Sequence, residues 1–209
     1  MAYLKQEEST PGLLDKKITY HHSNLGYGQN FVKDSLVEGQ QYTNSQLLER
    51  LIVNSDNQAC FILEKNIGQE KIDQVYKEFT VDVARGNKMQ DFMPVTQYMQ
   101  ILKTLYNATY VSRKNSEYAM ELLTRSDFDY GIKAGVPSEI KVANKFGEKA
   151  DRTDFQLHDC GIVYYPGSPY MIGVMTKGKD YKKMAQTIQR ISTNIFEIVK
   201  TFEKPAGGI

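Results

Sequence analysis

An amphipathic pattern near the carboxyl terminus is the feature that most constrains the fold of this chain. Apolar side chains recur there in steps of 4, 3, 4, 3 and 4 residues, which is the spacing of one continuous helical face: Met184, Ile188, Ile191, Ile195, Ile198 and Phe202. A face of this length needs a partner surface. Residues 140–145, 157–165 and 170–176 have the composition of strands, and Pro166-Gly167-Ser168-Pro169 suits a hairpin between the last two. The order predicts an antiparallel meander with the helix across it.

The preceding part of the chain is patterned for helices. Thr43 with Gln46 fits a capping box, and the apolar residues that follow fall on one helical face. Further helices are predicted over residues 58–66, 69–79 and 116–124, and from Pro94 onwards. The sequence therefore predicts an α+β fold of the α/β sandwich type. A mainly helical lobe spans residues 1–130, and an incomplete α/β lobe of meander and terminal helix spans 131–209.

Composition excludes several classes of function. The 26 basic and 25 acidic residues leave a net charge of +1, which offers no field for nucleic acid or an anionic membrane surface. No apolar run reaches the roughly 18 residues that span a bilayer, and two cysteines cannot make a disulfide scaffold. Adjacent histidines such as His21 and His22 rarely share a metal ion, and no Cys or carboxylate nearby has ligand spacing, so no metal site is expected. No cofactor is expected either.

Two short strings have chemistry that goes beyond packing. Ser55-Asp56-Asn57 lies between two predicted helices, and Lys145-Phe146-Gly147 lies on a predicted strand. Taken singly, each has an ordinary explanation, because Ser, Asp and Asn cap helices and a Lys before Gly commonly ends a strand.

Taken in this order, the two strings resemble the second and third motifs of the penicillin-recognising serine acyl-enzymes, which include class A β-lactamases and D,D-peptidases. Residues 48–59, 142–148 and 158–164 also resemble the surrounding segments of that family. The resemblance covers nearly the whole chain. It implies a small-molecule β-lactam or a peptidoglycan stem peptide as the substrate.

The resemblance also implies roles for individual residues. Ser55 passes a proton to the leaving nitrogen, and Asn57 holds the side-chain amide of the substrate and steadies the catalytic lysine. Lys145 supplies positive charge near Ser55 and toward the substrate carboxylate. The backbone N–H of Glu148 is one oxyanion donor. The expected substrate-binding residues are Phe146, Gly147, Glu148, Tyr20 and Tyr27.

The departures from the family pattern concern the nucleophile and the general base. The sequence has one Ser-x-x-Lys string, Ser138 to Lys141, which runs into the third-motif strand and is out of order. Residues 1–6 look like the end of the missing nucleophile helix, so we expect a chain truncated before its nucleophile and inactive alone. Phe146 replaces the Thr of the motif and has no hydroxyl to donate. Residues 81–93 contain no Glu that could activate water for deacylation.

Two other interpretations stay open at this point. The chain could be a non-catalytic binding module of the same fold, for cell-wall peptides or a protein partner. It could also be an unrelated helical and hairpin domain in which both strings are caps and turns. The family works in the periplasm or outside the cell. This chain has no export signal, so we expect it to stay in the cytoplasm if it is complete. If it is a fragment, the missing amino-terminal segment would contain the signal.

Overall fold

The computed structural model describes residues 1–23, 31, 36–81, 93–150 and 153–202. The chain forms two compact units. The first comprises Met1–Tyr27 and Val32–Leu122, and the second comprises Gly28–Phe31 and Leu123–Ile209. The boundary predicted after residue 130 lies inside the second unit. None of the described helices is both long and apolar enough to cross a membrane.

The first unit is mainly helical, as predicted. Its helices are α1 (Ala2–Ser9), α2 (Asn44–Glu49), α3 (Asn57–Ile67), α4 (Gln69–Glu78), α5 (Val95–Tyr106) and α6 (Arg113–Thr124), the last ending at the start of the second unit. A short π-helix, Arg50–Asn54, continues α2. Strands β1 (Lys17–Thr19) and β2 (Gln41–Thr43) pair antiparallel. The Gly, Asn, Gln and Ser content of residues 21–42 predicts an irregular loop, and this prediction is wrong for Gln41 and Tyr42, which begin β2.

Local signals set most of these helix ends. Thr43 caps α2 through a complete capping box, in which its hydroxyl accepts from the Gln46 N–H and the Gln46 side chain accepts from the Thr43 N–H. Gly68 ends α3 with φ of +86°, a conformation that glycine adopts without steric cost. Pro94 precedes the first residue of α5. The sequence predicts all three, since a capping box and a proline favour helix starts and a glycine such as Gly68 favours a helix end.

The core of the first unit gathers aromatic and aliphatic side chains from its strands and first helices. Its buried members are Tyr3, Tyr20, Tyr42, Leu47, Leu48, Ala59 and Leu63. The Tyr3 hydroxyl donates to the backbone oxygen of Leu63 at 3.0 Å, so this buried phenol has a partner. The spacing of Met99, Leu102 and Tyr106 predicts the apolar side of α5. The structure corrects this side, because Leu102 and Leu105 are buried whereas Tyr106 is exposed.

The second unit contains the predicted meander. Strands β3 (Val142–Ala150), β4 (Phe155–Val163) and β5 (Tyr170–Gly178) form an antiparallel sheet in the order β3-β4-β5. A short 3₁₀ helix, Lys133–Gly135, precedes the sheet, and α7 (Tyr181–Thr201) follows it and contacts β4 and β5. All three strands were predicted in place, although β3 begins two residues later than expected and runs on to Ala150.

The buried stripe of α7 differs from the predicted face. Its buried residues are Met184, Ala185, Ile188, Ser192 and Phe196, whereas Ile198 and Phe202 are exposed. Close packing on the 3₁₀ helix selects this stripe. The Ser192 hydroxyl donates to the Ile132 backbone oxygen at 2.9 Å, and a Cβ on Gly135 would lie 2.4 Å from the Cβ of Ser192. A small residue at position 192 therefore lets the helix approach, which apolar periodicity alone does not indicate.

Candidate active site

Ser55 occupies an unusual backbone position in the first unit. The π-helix ends at Asn54, and Ser55 follows with φ 57° and ψ 33°, in the left-handed region. The N–H groups of Ser55 and Asp56 both donate to the Arg50 oxygen. A non-glycine residue in this region stores strain on the order of 1 kcal/mol, and such residues cluster at functional sites. The junction therefore presents Ser55 in a conformation that ordinary helix capping does not require.

Asp56 is the residue that performs the capping. It is fully buried, and its side chain accepts from the Ala59 N–H at 3.0 Å at the start of α3. Asn57 is half-buried in the first turn of α3. The next residue, Gln58, forms two hydrogen bonds to the backbone of Ser23, at 2.7 and 3.1 Å. The capping explanation thus holds for Asp56, and the side chains on both sides of Asn57, Asp56 and Gln58, are held by hydrogen bonds to backbone groups.

Lys145, Phe146, Gly147 and Glu148 lie together on β3, which is an edge strand of the described sheet. The Tyr164 N–H donates to the Lys141 oxygen, directly before the strand pair. Bonded and non-bonded pairs alternate along an antiparallel ladder, so the backbone groups of Phe146 and Glu148 point away from β4. The outward N–H of Glu148 has the direction that an oxyanion donor on this edge needs.

The side chain of Lys145 follows the same edge. Its Nζ donates to the Phe146 oxygen at 2.9 Å and lies 4.6 Å from the centroid of the Phe146 ring. Both contacts hold the ammonium group at the outer edge of β3. Gly147 lies on the same face of β3 as Lys145, and it leaves space there, because a Cβ on Gly147 would meet nothing closer than His158 at 3.9 Å.

The Phe146 ring is buried rather than presented to solvent. It is 3% exposed and stacks on Phe128, with centroids 4.2 Å apart and an interplanar angle of 15°. Phe31 packs edge-on against both rings, and its N–H donates to Glu148 Oε1 at 2.9 Å. We refer to Phe31, Phe128, Tyr130, Phe146 and Tyr181 as the aromatic cluster. At position 146, where the third motif of the family has a threonine hydroxyl, this chain has a phenyl ring that belongs to the aromatic cluster.

A buried polar pair supports β3 from its α7 side, and the sequence analysis did not predict it. Asp159 is fully buried and accepts from the Asn144 amide at 3.0 Å and from the Ile132 N–H at 2.8 Å. Burial raises the pKa of Asp159 to about 6, and the Ile132 and Asn144 bonds and the charge of Lys145 oppose the rise. His158 faces the other way, and burial lowers the pKa of its imidazole. The sequence does contain a signal for this pair. Neighbouring residues on a strand face opposite sides of the sheet, so Asn144 faces away from the side on which Lys145 lies.

Tyr20 and Tyr27 are the remaining residues predicted for the site. Tyr20 is in the core of the first unit, 4% exposed, and its hydroxyl lies 3.0 Å from His22 Nδ1. Tyr27 lies outside the described residues, as does most of the segment 81–93, which contains no Glu. Ser138 lies in a turn before β3, so the Ser-x-x-Lys string is not helical. Within the described ranges, no three His, Cys, Asp or Glu side chains group as metal ligands.

The fold and the two motif segments define a class. A helical unit with a Ser-Asp-Asn junction, and an α/β unit whose edge strand has Lys-x-Gly, are the architecture of β-lactamase-like serine hydrolases. A family model described as the beta-lactamase enzyme family matches residues 1–199. The chain belongs to that family.

Solved structures share the fold at low sequence identity. A β-lactamase from Chitinophaga pinensis superposes with a TM-score of 0.79 at 20% identity, over 94% of this chain and 80% of that one. A β-lactamase from Francisella tularensis gives 0.77 at 20% identity, over 96% and 82%. A variant of the protein PBP-A, described as an acyl-enzyme complex with penicillin G, gives 0.75 at 15% identity, over 96% and 78%.

Proposed function

We propose that this chain supplies the proton-transfer, oxyanion and substrate-anchoring residues of a serine hydrolase that forms an acyl-enzyme. The substrate is a β-lactam or a D-alanyl-type peptide amide. The observation that carries the proposal is the geometry of β3, where the Glu148 N–H points outward from the edge strand directly after Lys145-Phe146-Gly147. An oxyanion needs such a fixed donor, and the donor is part of a strand that hydrogen bonds already hold.

Each motif residue has a role in this reaction. Ser55 relays a proton to the leaving nitrogen, since its hydroxyl is placed by a strained and fixed backbone. Asn57 binds the side-chain amide of the substrate. Lys145 holds positive charge at the edge of β3, where it attracts a substrate carboxylate. The acyl-enzyme of the PBP-A variant with penicillin G supports a β-lactam as one substrate.

The attacking serine belongs, in this proposal, to a Ser-x-x-Lys helix outside the 209 residues. The one string of that type within them, Ser138 to Lys141, is in a turn and cannot align a serine with a lysine on one helical face. The chain alone therefore forms no acyl-enzyme. Without a glutamate base between residues 81 and 93, deacylation is slow, which favours peptidase-like over β-lactamase-like turnover.

Covalent labelling with a fluorescent penicillin tests the proposal. The 209-residue chain and the product of its reading frame extended upstream of Met1 are incubated with the probe, denatured and separated on a gel. We expect label on the extended product alone. Lys145→Ala and Ser55→Ala should reduce the labelling rate at least about tenfold, the effect of losing one charge-assisted or proton-transfer contact.

Lys149→Ala is the matched control, because Lys149 is an exposed lysine on the same strand. It should label at the rate of the parent. Stoichiometric labelling of the 209-residue chain would contradict the missing-nucleophile part of the proposal. An extended product that lacks Ser-x-x-Lys, or that labels equally well with Lys145→Ala, would contradict the assigned roles.

Phe146 favours one alternative function, a non-catalytic module that binds cell-wall peptides. The ring cannot donate to a carboxylate, and the aromatic cluster buries it. An extended product that takes no label but binds a D-alanyl-D-alanine peptide in calorimetry would support this alternative over hydrolysis.

A further inference from the structure

A solvent-open cavity of about 440 Å³ lies in the second unit, between the first turns of α7 and the segment before the 3₁₀ helix. This volume is within the range of small-molecule sites, roughly 300–1,000 Å³. None of the motif residues assigned above to the hydrolase reaction lines it. Its lining residues are Phe31, Asp129, Tyr130, Ala134, Lys182, Ala185, Gln186 and Gln189.

Two aromatic rings form one wall of this cavity. The Phe31 and Tyr130 centroids are 5.4 Å apart with an interplanar angle of 42°. Both rings also contact Phe128, and Phe31 contacts Tyr181, so the wall is held from behind by the aromatic cluster. Tyr130 is nevertheless 58% exposed, which is unusual for a ring so well supported. A rigid, partly exposed aromatic wall favours a flat ligand, because little side-chain entropy is lost on binding.

The rest of the lining comes from α7 and the 3₁₀ helix. Ala185 and Ala134 add small apolar surface, and the Gln189 amide is fixed by a 3.1 Å bond to the Ala134 oxygen. Lys182 and Gln186, from the first half of α7, complete the polar part of the lining. The alanines and the two aromatic rings together offer apolar contact surface for a planar ring.

The charged residues that line the cavity indicate which substituent the aromatic ring of the ligand has. Asp129 is paired with Lys133 at 3.0 Å, so its charge is compensated beside the cavity. Across the described residues, no ion pair engages the ammonium of Lys182 and no hydrogen bond engages the amide of Gln186. The cavity therefore has one uncompensated positive charge next to a neutral amide. An anionic group on the ligand completes this set.

We propose that this cavity binds a small aromatic carboxylate. The ring lies against Tyr130 and Phe31, and the carboxylate accepts from the ammonium of Lys182 and the amide of Gln186. The site is independent of the acyl-enzyme reaction and needs no nucleophile, so it is testable on the 209-residue chain.

Binding of 2-naphthoate and of its neutral analogue 2-naphthamide to the chain, measured by calorimetry and by amide chemical shifts, tests the proposal. We expect 2-naphthoate to bind with one-to-one stoichiometry and to shift amides within residues 129–134 and 182–189. Lys182→Gln should raise the Kd of 2-naphthoate about threefold to fivefold, as expected for one exposed ion pair, and leave that of 2-naphthamide within about twofold. Tyr130→Ala should raise both about tenfold.

Lys183→Gln is the matched control, because Lys183 is an exposed lysine on the same helix that does not line the cavity. It should change neither Kd. Equal effects of Lys182→Gln and Lys183→Gln would show a non-specific charge effect and overturn the proposal. Shifts centred elsewhere, or no binding to a chain that melts cooperatively, would overturn it as well.

Discussion

The carboxylate of Asp159 and the amide of Asn144 are joined by a 3.0 Å hydrogen bond between fully buried side chains on adjacent strands. Asn144 directly precedes Lys145, so this bond ties the strand that positions the lysine to the centre of the sheet. The second carboxylate oxygen accepts from Ile132 at 2.8 Å and so joins the segment before the 3₁₀ helix to the same point. The buried carboxylate of Asp159 thus holds two segments of the chain, β3 and the segment before the 3₁₀ helix, in place.

The ionisation of Asp159 should make stability fall as the pH rises from about 4 to about 6. The folded protein holds this proton up to a pKa of about 6, whereas the ordinary value is 3.8. A pKa raised by folding stabilises the protonated folded state, so the contribution is complete below the ordinary pKa and is lost above the folded one. A shift of about two pH units corresponds to about 3 kcal/mol in the free energy of unfolding.

Urea unfolding of the wild type and of Asp159→Asn at pH 4 and pH 7 measures this contribution. The other carboxylates titrate in both proteins, so their effects cancel in the difference between them. The free energy of unfolding of the wild type, relative to that of Asp159→Asn, should be lower at pH 7 than at pH 4 by about 3 kcal/mol. A difference independent of pH would show that Asp159 titrates alike in the folded and unfolded states.

The features predicted correctly from the sequence are those that local chemistry determines. The Thr43 capping box, the Gly68 stop and the Pro94 start each depend on residues a few positions apart, and the meander follows from consecutive strand patterns. Strand β2 was missed because three residues pair with a strand more than 20 positions earlier, and no local pattern specifies that contact.

For the candidate site as well, the sequence predicts the local features but not those that depend on tertiary packing. The Ser-Asp-Asn and Lys-x-Gly strings could be found in the sequence, but the tripeptide does not reveal that Asp56 caps α3 while Ser55 adopts a left-handed conformation. The burial of Phe146 depends on Phe31 and Phe128, which are far from it in the chain. Tertiary packing of this kind overrides what a residue's position in a motif indicates.

The left-handed backbone at Ser55 should make glycine more stabilising than alanine there. Both Ser55→Gly and Ser55→Ala remove the hydroxyl, so their difference isolates the backbone. We expect Ser55→Gly to exceed Ser55→Ala by about 1 kcal/mol in the free energy of unfolding. At Lys71, an exposed position within α4, the same pair should reverse its order by a similar amount. An alanine preference at both positions would contradict the assigned conformation.

Replacing Phe146 by the threonine of the family motif should destabilise the chain. The ring is 3% exposed and stacked on Phe128, so Phe146→Thr removes buried apolar volume and should lower the free energy of unfolding by about 3 kcal/mol. Phe61→Thr on α3, where the ring is 38% exposed, should cost under about 1 kcal/mol. Denaturant titration of both variants gives the comparison. Equal losses would indicate that the aromatic cluster does not bury Phe146.

The contact between α7 and the 3₁₀ helix should tolerate no side chain at Gly135. A Cβ there would lie 2.4 Å from the Ser192 Cβ and 2.6 Å from the Gln189 backbone oxygen, and neither neighbour is the end of a flexible side chain. Gly135→Ala should therefore lower the free energy of unfolding by about 2–3 kcal/mol, as overpacking does in a close-packed interior. Gly147→Ala on β3 is the matched control, because its Cβ would meet only His158 at 3.9 Å, and it should unfold within about 1 kcal/mol of the wild type. Thermal or urea unfolding distinguishes the two variants, and a Gly135→Ala protein as stable as Gly147→Ala would mean that α7 does not pack this closely.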